Sequence, residues 1–297
     1  MQQKGMLMDA EKCRVLLYAV DCGSMSQAAA DLGYTVSGVS RMMAALEKEA
    51  GFPLLKRDRR GISATEECLR VMPAMREMVF WQDRVRQISG DICGLEEGTI
   101  TVGTSYSSYY AWLVKRIAGF RKKYPGIEVR IIQGNSSELK KAVDEHRADL
   151  CIISRRGSGG RWIPLREDPM VAWVPSDHEA AKKETFPVKQ FAAEPYIEMF
   201  PGEDTDNART LKKAGVCPNT QFTTMDSGAT FAMVEAGLGV SLNNSIVAEK
   251  FRGRVKMLPL DPPASVSIGM QIPDQGASPA AEKFIAYMMP AGKQADK

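Results

Sequence analysis

Histidine is nearly absent from this 297-residue chain, with only His146 and His178 present. His178 lies in the turn-like stretch Pro175-Ser176-Asp177-His178-Glu179. His146 closes a helical segment, where the C-terminal dipole suits a cation. Neither stands in a G-x-S-x-G or similar setting, and no Walker-type or dinucleotide glycine pattern occurs. An enzyme reading therefore has no catalytic constellation behind it. The six cysteines, Cys13, Cys22, Cys68, Cys93, Cys151 and Cys217, show no C-x-x-C spacing. With so few histidines, no metal site is expected, and no cofactor. Most of the thiols are read as buried small hydrophobes kept reduced. Long apolar runs are missing too, and Met6-Leu7-Met8 is too short for a membrane span or an export signal. The chain is accordingly read as cytoplasmic, with no membrane partner.

An excess of one charge is also lacking. Lys and Arg number 39 against 36 Asp and Glu, a net +3, so bulk charge implies no nucleic-acid partner. Such an argument must rest on where the cations sit. The length suffices for two or three modules with sizeable cores.

The most informative stretch runs from Ser24 to Thr65. Ala28 and Ala29 have little side-chain bulk, so another helix can approach closely, and Gly33 stands where that helix must stop. A second helix follows, with Thr35 as N-cap and Val39, Met43 and Leu46 as an inward stripe. Two helices joined by so short a turn form a helix-turn-helix, whose second helix enters the DNA major groove. Ser26, Thr35, Val36, Ser37, Gly38, Ser40 and Arg41 are the candidate DNA-facing residues. Short hydroxyls and a guanidinium reach phosphates and base edges. Helix capping by Thr35 and Ser37, with Arg41 on a solvated face, is the plainer alternative. Residues 52–65 then read as two short strands around a glycine turn rich in cations. Arg57, Arg59 and Arg60 of this wing are candidates for the DNA backbone or minor groove.

These residues resemble the LysR-type transcriptional regulators. The resemblance is carried by Gly23-Ser24, Ala28-Ala29, Leu32, Thr35, Ser37, Val39-Ser40-Arg41, Leu46-Glu47, Gly51-Phe52-Pro53-Leu54-Leu55, Arg57 and Thr65-Glu66. Val36 stands where the family commonly has Gln, and its side chain suits a thymine methyl instead. Glu67 and Cys68 replace the usual small residue after the Thr-Glu pair. The resemblance implies a dimer or dimer of dimers on duplex DNA, a small-molecule effector and allosteric control. Redox-sensing members of the family use a cysteine pair in the effector domain, where this chain has only Cys151 and Cys217, far apart in sequence, which speaks against that role.

The expected fold is α+α/β. Its parts are a winged helix-turn-helix at 8–65, a linker helix at 66–92 and a two-lobed effector domain at 97–297. A first helix at 9–22 turns Leu16, Leu17, Ala19 and Val20 inward. In the linker, Leu69, Met72, Met75, Val79 and Val85 form a stripe suited to a partner helix, or to the chain's own domain, with a kink at Pro73. Beyond the glycine-containing boundary at 90–98, strands at 99–103, 128–132 and 148–153 alternate with helices at 109–123 and 136–146. That alternation builds a parallel sheet. A second lobe carries strands at 171–174, 196–199 and 239–243 and helices at 205–214 and 227–237. A strand at 266–271 and a helix at 278–289 return to the first lobe. Lobe I is thus 97–170 with 267–297, and lobe II is 171–266, an arrangement the resemblance likens to the periplasmic-binding-protein fold.

Such lobes leave a crevice at the carboxyl ends of the strands. Ser105, Tyr106, Ser107, Ser136, Phe200, Gly202, Thr224 and Asp226 are its candidate ligand residues. Several open helices, where free N–H groups favour an anion, so a small carboxylate with an apolar body is the expected effector. Asp204, Asp206 and Asp226 argue against an unguarded anion site, and the hydroxyls equally serve as caps. A solute-binding module or a small-molecule enzyme on the same two-lobed fold is the alternative.

Overall fold

Asp9 and Gly23 bracket the first helix, α1 (Ala10–Cys22). The Asp9 carboxylate accepts from the Glu11 amide, and Gly23 closes the helix in the left-handed region. The computed structural model describes residues 8–58, 61–94, 97–249, 251–274 and 277–289. It falls into two units, Met1–Leu95 and Glu96–Lys297.

In the first unit, α2 (Met25–Asp31) is capped by Ser24 and α3 (Val36–Ala50) by Thr35. Cys13, Leu16 and Leu17 of α1 pack with Ala29, Val39, Met43 and Leu46, so small residues on α2 let the three helices close on one another. Strands β1 (Leu55–Asp58) and β2 (Gly61–Ala64) pair antiparallel as the wing. The Glu47 carboxylate accepts from the Leu54 and Leu55 amides at 2.8 and 3.2 Å, which anchors the wing to the end of α3. Gly61 is needed for a spatial reason. Its φ is +127°, and a Cβ there would lie 2.4 Å from the Gly23 carbonyl oxygen, which accepts from the Ile62 amide.

Helix α4 (Glu66–Ile92) opens on Thr65, whose hydroxyl accepts from the Cys68 amide. It continues through Pro73 rather than ending there. The expected linker stripe divides between two faces. Met72 and Met75 are buried in the unit's own core, whereas Leu69 and Val85 are 57% and 63% exposed. Arg14 of α1 grips Asp83 of α4 through both terminal guanidinium nitrogens, at 2.7 and 2.6 Å, fixing the helix against its own domain.

The second unit alternates as expected at its start. It runs β3 (Gly98–Thr104), α5 (Tyr110–Lys123), β4 (Ile127–Gln133), α6 (Ser136–Asp144) and β5 (Leu150–Ser154). Helix α6 stops two residues short of the expected end, and His146 lies beyond it at φ +56°. Strand β6 (Arg161–Pro175) is far longer than its expected core at 171–174. After it come β7 (Phe186–Pro187), β8 (Tyr196–Met199), α7 (Asp206–Lys213), β9 (Thr220–Thr224), α8 (Ser227–Glu235), β10 (Ser241–Asn244) and α9 (Ser245–Ala248). The unit closes with β11 (Val255–Asp261), β12 (Ser265–Ile272) and α10 (Pro279–Met288).

The main sheet has the order β4-β3-β5-β12-β6-β11-β7. Two of its strands carry the chain between lobes. The first half of β6 pairs with β12, and its second half pairs with β10 and β11. Alternation along β6 sorts its side chains: Met170, Ala172 and Val174 enter one lobe II core, Val171 and Trp173 another. In lobe I, Leu150 and Ile152 of β5 join α5 and α10 around Phe120 and Phe284, while Cys151 and Ile153 face α6. No described helix is long and apolar enough to cross a membrane. Cys13, Cys68 and Cys151 are buried, but Cys22, Cys93 and Cys217 are exposed, which corrects the expectation that most are buried.

Candidate functional site

The outer face of α3 follows from its inner one. Val39, Met43 and Leu46 are buried, so Thr35, Val36, Ser37 and Arg41 are left exposed and Ser40 half-buried. Thr35 also serves as the cap, accepting from the Gly38 amide at 3.1 Å, and its hydroxyl lies 3.3 Å from that of Ser37. Gly38 has an intramolecular role as well: a Cβ there would meet the capping oxygen at 3.0 Å. Val36 is half exposed, an apolar side chain on an otherwise polar surface. Ser26 on α2 and Arg57 on β1 are exposed too. Arg59 and Arg60 lie outside the described residues.

The second unit holds a cavity of about 560 Å³ at the carboxyl ends of β3, β5 and β8. Ser105, Tyr106, Ser107, Ser136, Phe200 and Asp226 line it. Gly202 and Thr224 do not. Gly202 is an exposed turn residue, and the Thr224 hydroxyl is turned back onto the backbone of Asp226. Phe200 is held at φ +57°, a conformation that costs energy for a residue with a Cβ.

At the floor of the cavity lies a group that the sequence did not reveal. Arg156 follows β5 in lobe I, and Asp206 begins α7 in lobe II. Their side chains are each 7% exposed and pair at 2.8 Å. Asp206 also accepts from the Tyr106 hydroxyl at 2.6 Å, the Ser154 hydroxyl at 2.5 Å and the Asn244 amide at 3.2 Å. Both its oxygens are thus filled. Burial, then the charge of Asp206, pushes the Tyr106 phenol well above its ordinary value, so it remains a donor. Arg156 is equally committed: Nε donates to the Ser137 hydroxyl at 2.9 Å and Nη1 to the Ser154 hydroxyl. The Ser136 hydroxyl accepts from the Ser154 amide at 3.1 Å and meets the Ser105 hydroxyl at 3.0 Å.

Two further bonds tie the lobes nearer the rim. The Ser137 hydroxyl donates to Asp204 at 2.6 Å, which with Arg209 holds that carboxyl below its usual range. The Asn135 amide donates to Glu203 at 3.0 Å. Arg156, Asn135, Glu203, Asn207 and Asn244 were missed as crevice residues because nothing local marks them. One signal was available for Arg156: it stands two residues beyond a parallel strand, where open α/β sheets place ligands. The helices around the cavity are already capped, by Asn135, Thr205 and Asp226. Among the described residues, no group of His, Cys, Asp and Glu has a metal-binding arrangement.

Comparison with known proteins fits both units. Residues 10–69 match the bacterial regulatory helix-turn-helix protein family of the lysR type, and residues 94–292 match the LysR substrate binding domain. A similar relative is the uncharacterized HTH-type transcriptional regulator YvbU of Bacillus subtilis. It is 27% identical over 282 residues, covering 94% of this chain and 97% of the relative. Among solved structures, a full-length OxyR variant from Pseudomonas aeruginosa superposes with a TM-score of 0.72 at 16% identity. That match covers 98% of this chain and 99% of the other. Full-length CbnR complexed with its target DNA gives 0.59 at 18% identity, over 95% and 99% of the two chains. A helix-turn-helix matched over residues 10–69 and a substrate-binding domain matched over residues 94–292 make this chain a member of the LysR family of DNA-binding transcriptional regulators, with a C-terminal effector-binding domain.

Proposed function

We propose that this protein is a ligand-responsive regulator that reads duplex DNA with α3 and its wing and takes a small-molecule effector in the crevice between lobes I and II. The observation that carries the reading is the cavity of about 560 Å³ bridged by the buried Arg156–Asp206 pair. Its volume suits a small metabolite. A ligand there touches groups from both lobes, so it changes how firmly they close, a hinge motion common to two-lobed α/β domains. Coupling of about 1–3 kcal/mol is enough to alter the spacing of DNA contacts without unfolding anything.

Reading two half-sites calls for at least a dimer. Leu69, Trp81, Val85, Ile88 and Ile92 leave α4 with exposed apolar side chains, which supports self-association through that helix. Wing residues Arg57, Arg59 and Arg60 are assigned to the DNA backbone or minor groove, and Arg41 to a base edge.

A small carboxylate is the effector class expected for this crevice from the sequence. It rests on free helix N-termini, and those are already capped by side chains. Selection of binding sites from random duplexes by the full-length chain, with and without metabolite mixtures, tests the function. An enriched, partly palindromic sequence whose retention changes with metabolite supports it. Equal retention of all duplexes under every condition rejects it.

A further inference from the structure

We propose that the effector is a small organic cation, an amine or guanidine whose body carries one hydrogen-bond acceptor. The inference rests on the crevice being the effector site and adds the charge of what it holds. Four carboxylates line the cavity, those of Glu138, Glu203, Asp206 and Asp226, against the single guanidinium of Arg156. That guanidinium is spent. It is buried against Asp206 and satisfied by Ser137 and Ser154, so a carboxylate ligand would have to strip it from partners already in place.

The other three carboxylates hold neutral donors alone. Glu203 accepts from the Asn135 side chain, Glu138 from the Asn135 amide and Asp226 from the Ala229 amide. Among the described residues none of the three has a cation within ion-pair distance. Glu203 is half-buried and Glu138 and Asp226 are exposed, and carboxylates gathered on one wall repel an anion and hold a cation. A second observation is independent of charge. Asn207 lines the same cavity at 5% exposure, and its side-chain nitrogen has no hydrogen-bond partner among the described residues. A buried amide donor is costly to leave unmet, and a hydroxyl or carbonyl oxygen on the ligand would satisfy it once the side chain turns into the cavity. Phe200, Met199 and Met225 complete the wall with an aromatic face and two thioethers. These surfaces suit the apolar body of an amine and, at the ring, its charge.

The test is calorimetric binding to the full-length protein with probes matched in skeleton and opposed in charge: tyramine against 4-hydroxyphenylacetate, and 4-amino-1-butanol against 4-hydroxybutanoate, with argininamide added. An amine or the guanidine should bind, and its carboxylate counterpart should not. Glu203→Gln and Asp226→Asn keep the hydrogen-bonding shape, and each should weaken the bound cation about tenfold, since hydrogen bonds to charged groups are worth at least that. Binding should also weaken as salt rises. Carboxylates binding where the amines and argininamide do not would overturn the assignment of charge while leaving the crevice as the effector site. Cation binding indifferent to both substitutions would place the cation elsewhere and overturn it too. Silence from every cation probe overturns it as well. If, in addition, metabolite mixtures leave DNA retention unchanged, the effector reading itself falls.

Discussion

Replacing Asp206 by alanine removes one acceptor from four donors: the guanidinium of Arg156, the hydroxyls of Tyr106 and Ser154, and the amide of Asn244. The side chains of Arg156 and Asp206 are each 7% exposed, so the few waters that reach them from the cavity replace the lost carboxylate poorly. Breaking a buried pair in this way strands a charge and costs roughly 3–5 kcal/mol. The Arg209–Asp204 pair makes a direct contrast. Its N–O distance is 3.0 Å, similar to the 2.8 Å of the buried pair, but its side chains are 48% and 50% exposed. For such an exposed pair, Arg209→Ala should cost about 0–1 kcal/mol. Geometry alone would rank the two pairs together, and burial separates them. Urea unfolding of the full-length chain, followed by tryptophan fluorescence, to which the fully buried Trp173 contributes, reads the difference. With a slope of about 2 kcal/mol per molar urea, Asp206→Ala should lower the midpoint by roughly 1.5–2.5 M. Arg209→Ala should barely move it. Exchanging the pair for apolar residues, Arg156→Met with Asp206→Leu, should recover the part of the loss due to the stranded charge, while Tyr106, Ser154 and Asn244 still lack their acceptor. A loss below about 1 kcal/mol for Asp206→Ala would refute the reasoning. So would a double variant no better than the single one.

Other outcomes are expected elsewhere in the chain. Arg41→Ala should cost about 1–3 kcal/mol at one base position if the guanidinium reads guanine, and a site selection with unchanged preference would exclude that role. Gly61→Ala places a methyl 2.4 Å from the Gly23 carbonyl oxygen in a left-handed conformation, so it should lower stability by about 1–3 kcal/mol or more in a thermal melt. Unaltered melting would show that the wing can shift away from the turn. Burial pushes the thiols of Cys13 and Cys68 up to about 11 and that of Cys151 up to about 12. A chromogenic disulfide reagent at pH 8 should therefore titrate Cys22, Cys93 and Cys217 promptly and the other three only in denaturant. Prompt reaction of Cys151 would reopen a redox role for it.

The sequence by itself determined the elements whose signals are local. Helices α1 to α4 declare themselves through caps at Asp9, Ser24, Thr35 and Thr65, and α1 and α3 through apolar residues at helical spacing as well. The strands β3 and β5 declare themselves through short apolar runs between helices. Tertiary structure alone decided three other things. The first half of β6, with Pro164, Pro169 and the charged run Arg166-Glu167-Asp168, becomes strand because β12 supplies its partners, as β6 does for the Pro259-bearing β11. Strand β9 shows no alternation, since most of it is exposed, and it exists through pairing with β8. Which face of α4 is covered by its own core also had to wait, because Leu69 and Met75 have equal claims as apolar residues until α1 covers one of them. The buried pair follows the same logic. Arg156 and Asp206 are fifty residues apart, and a charge's partner is set by which loops the two lobes bring together, a property that no window of sequence contains.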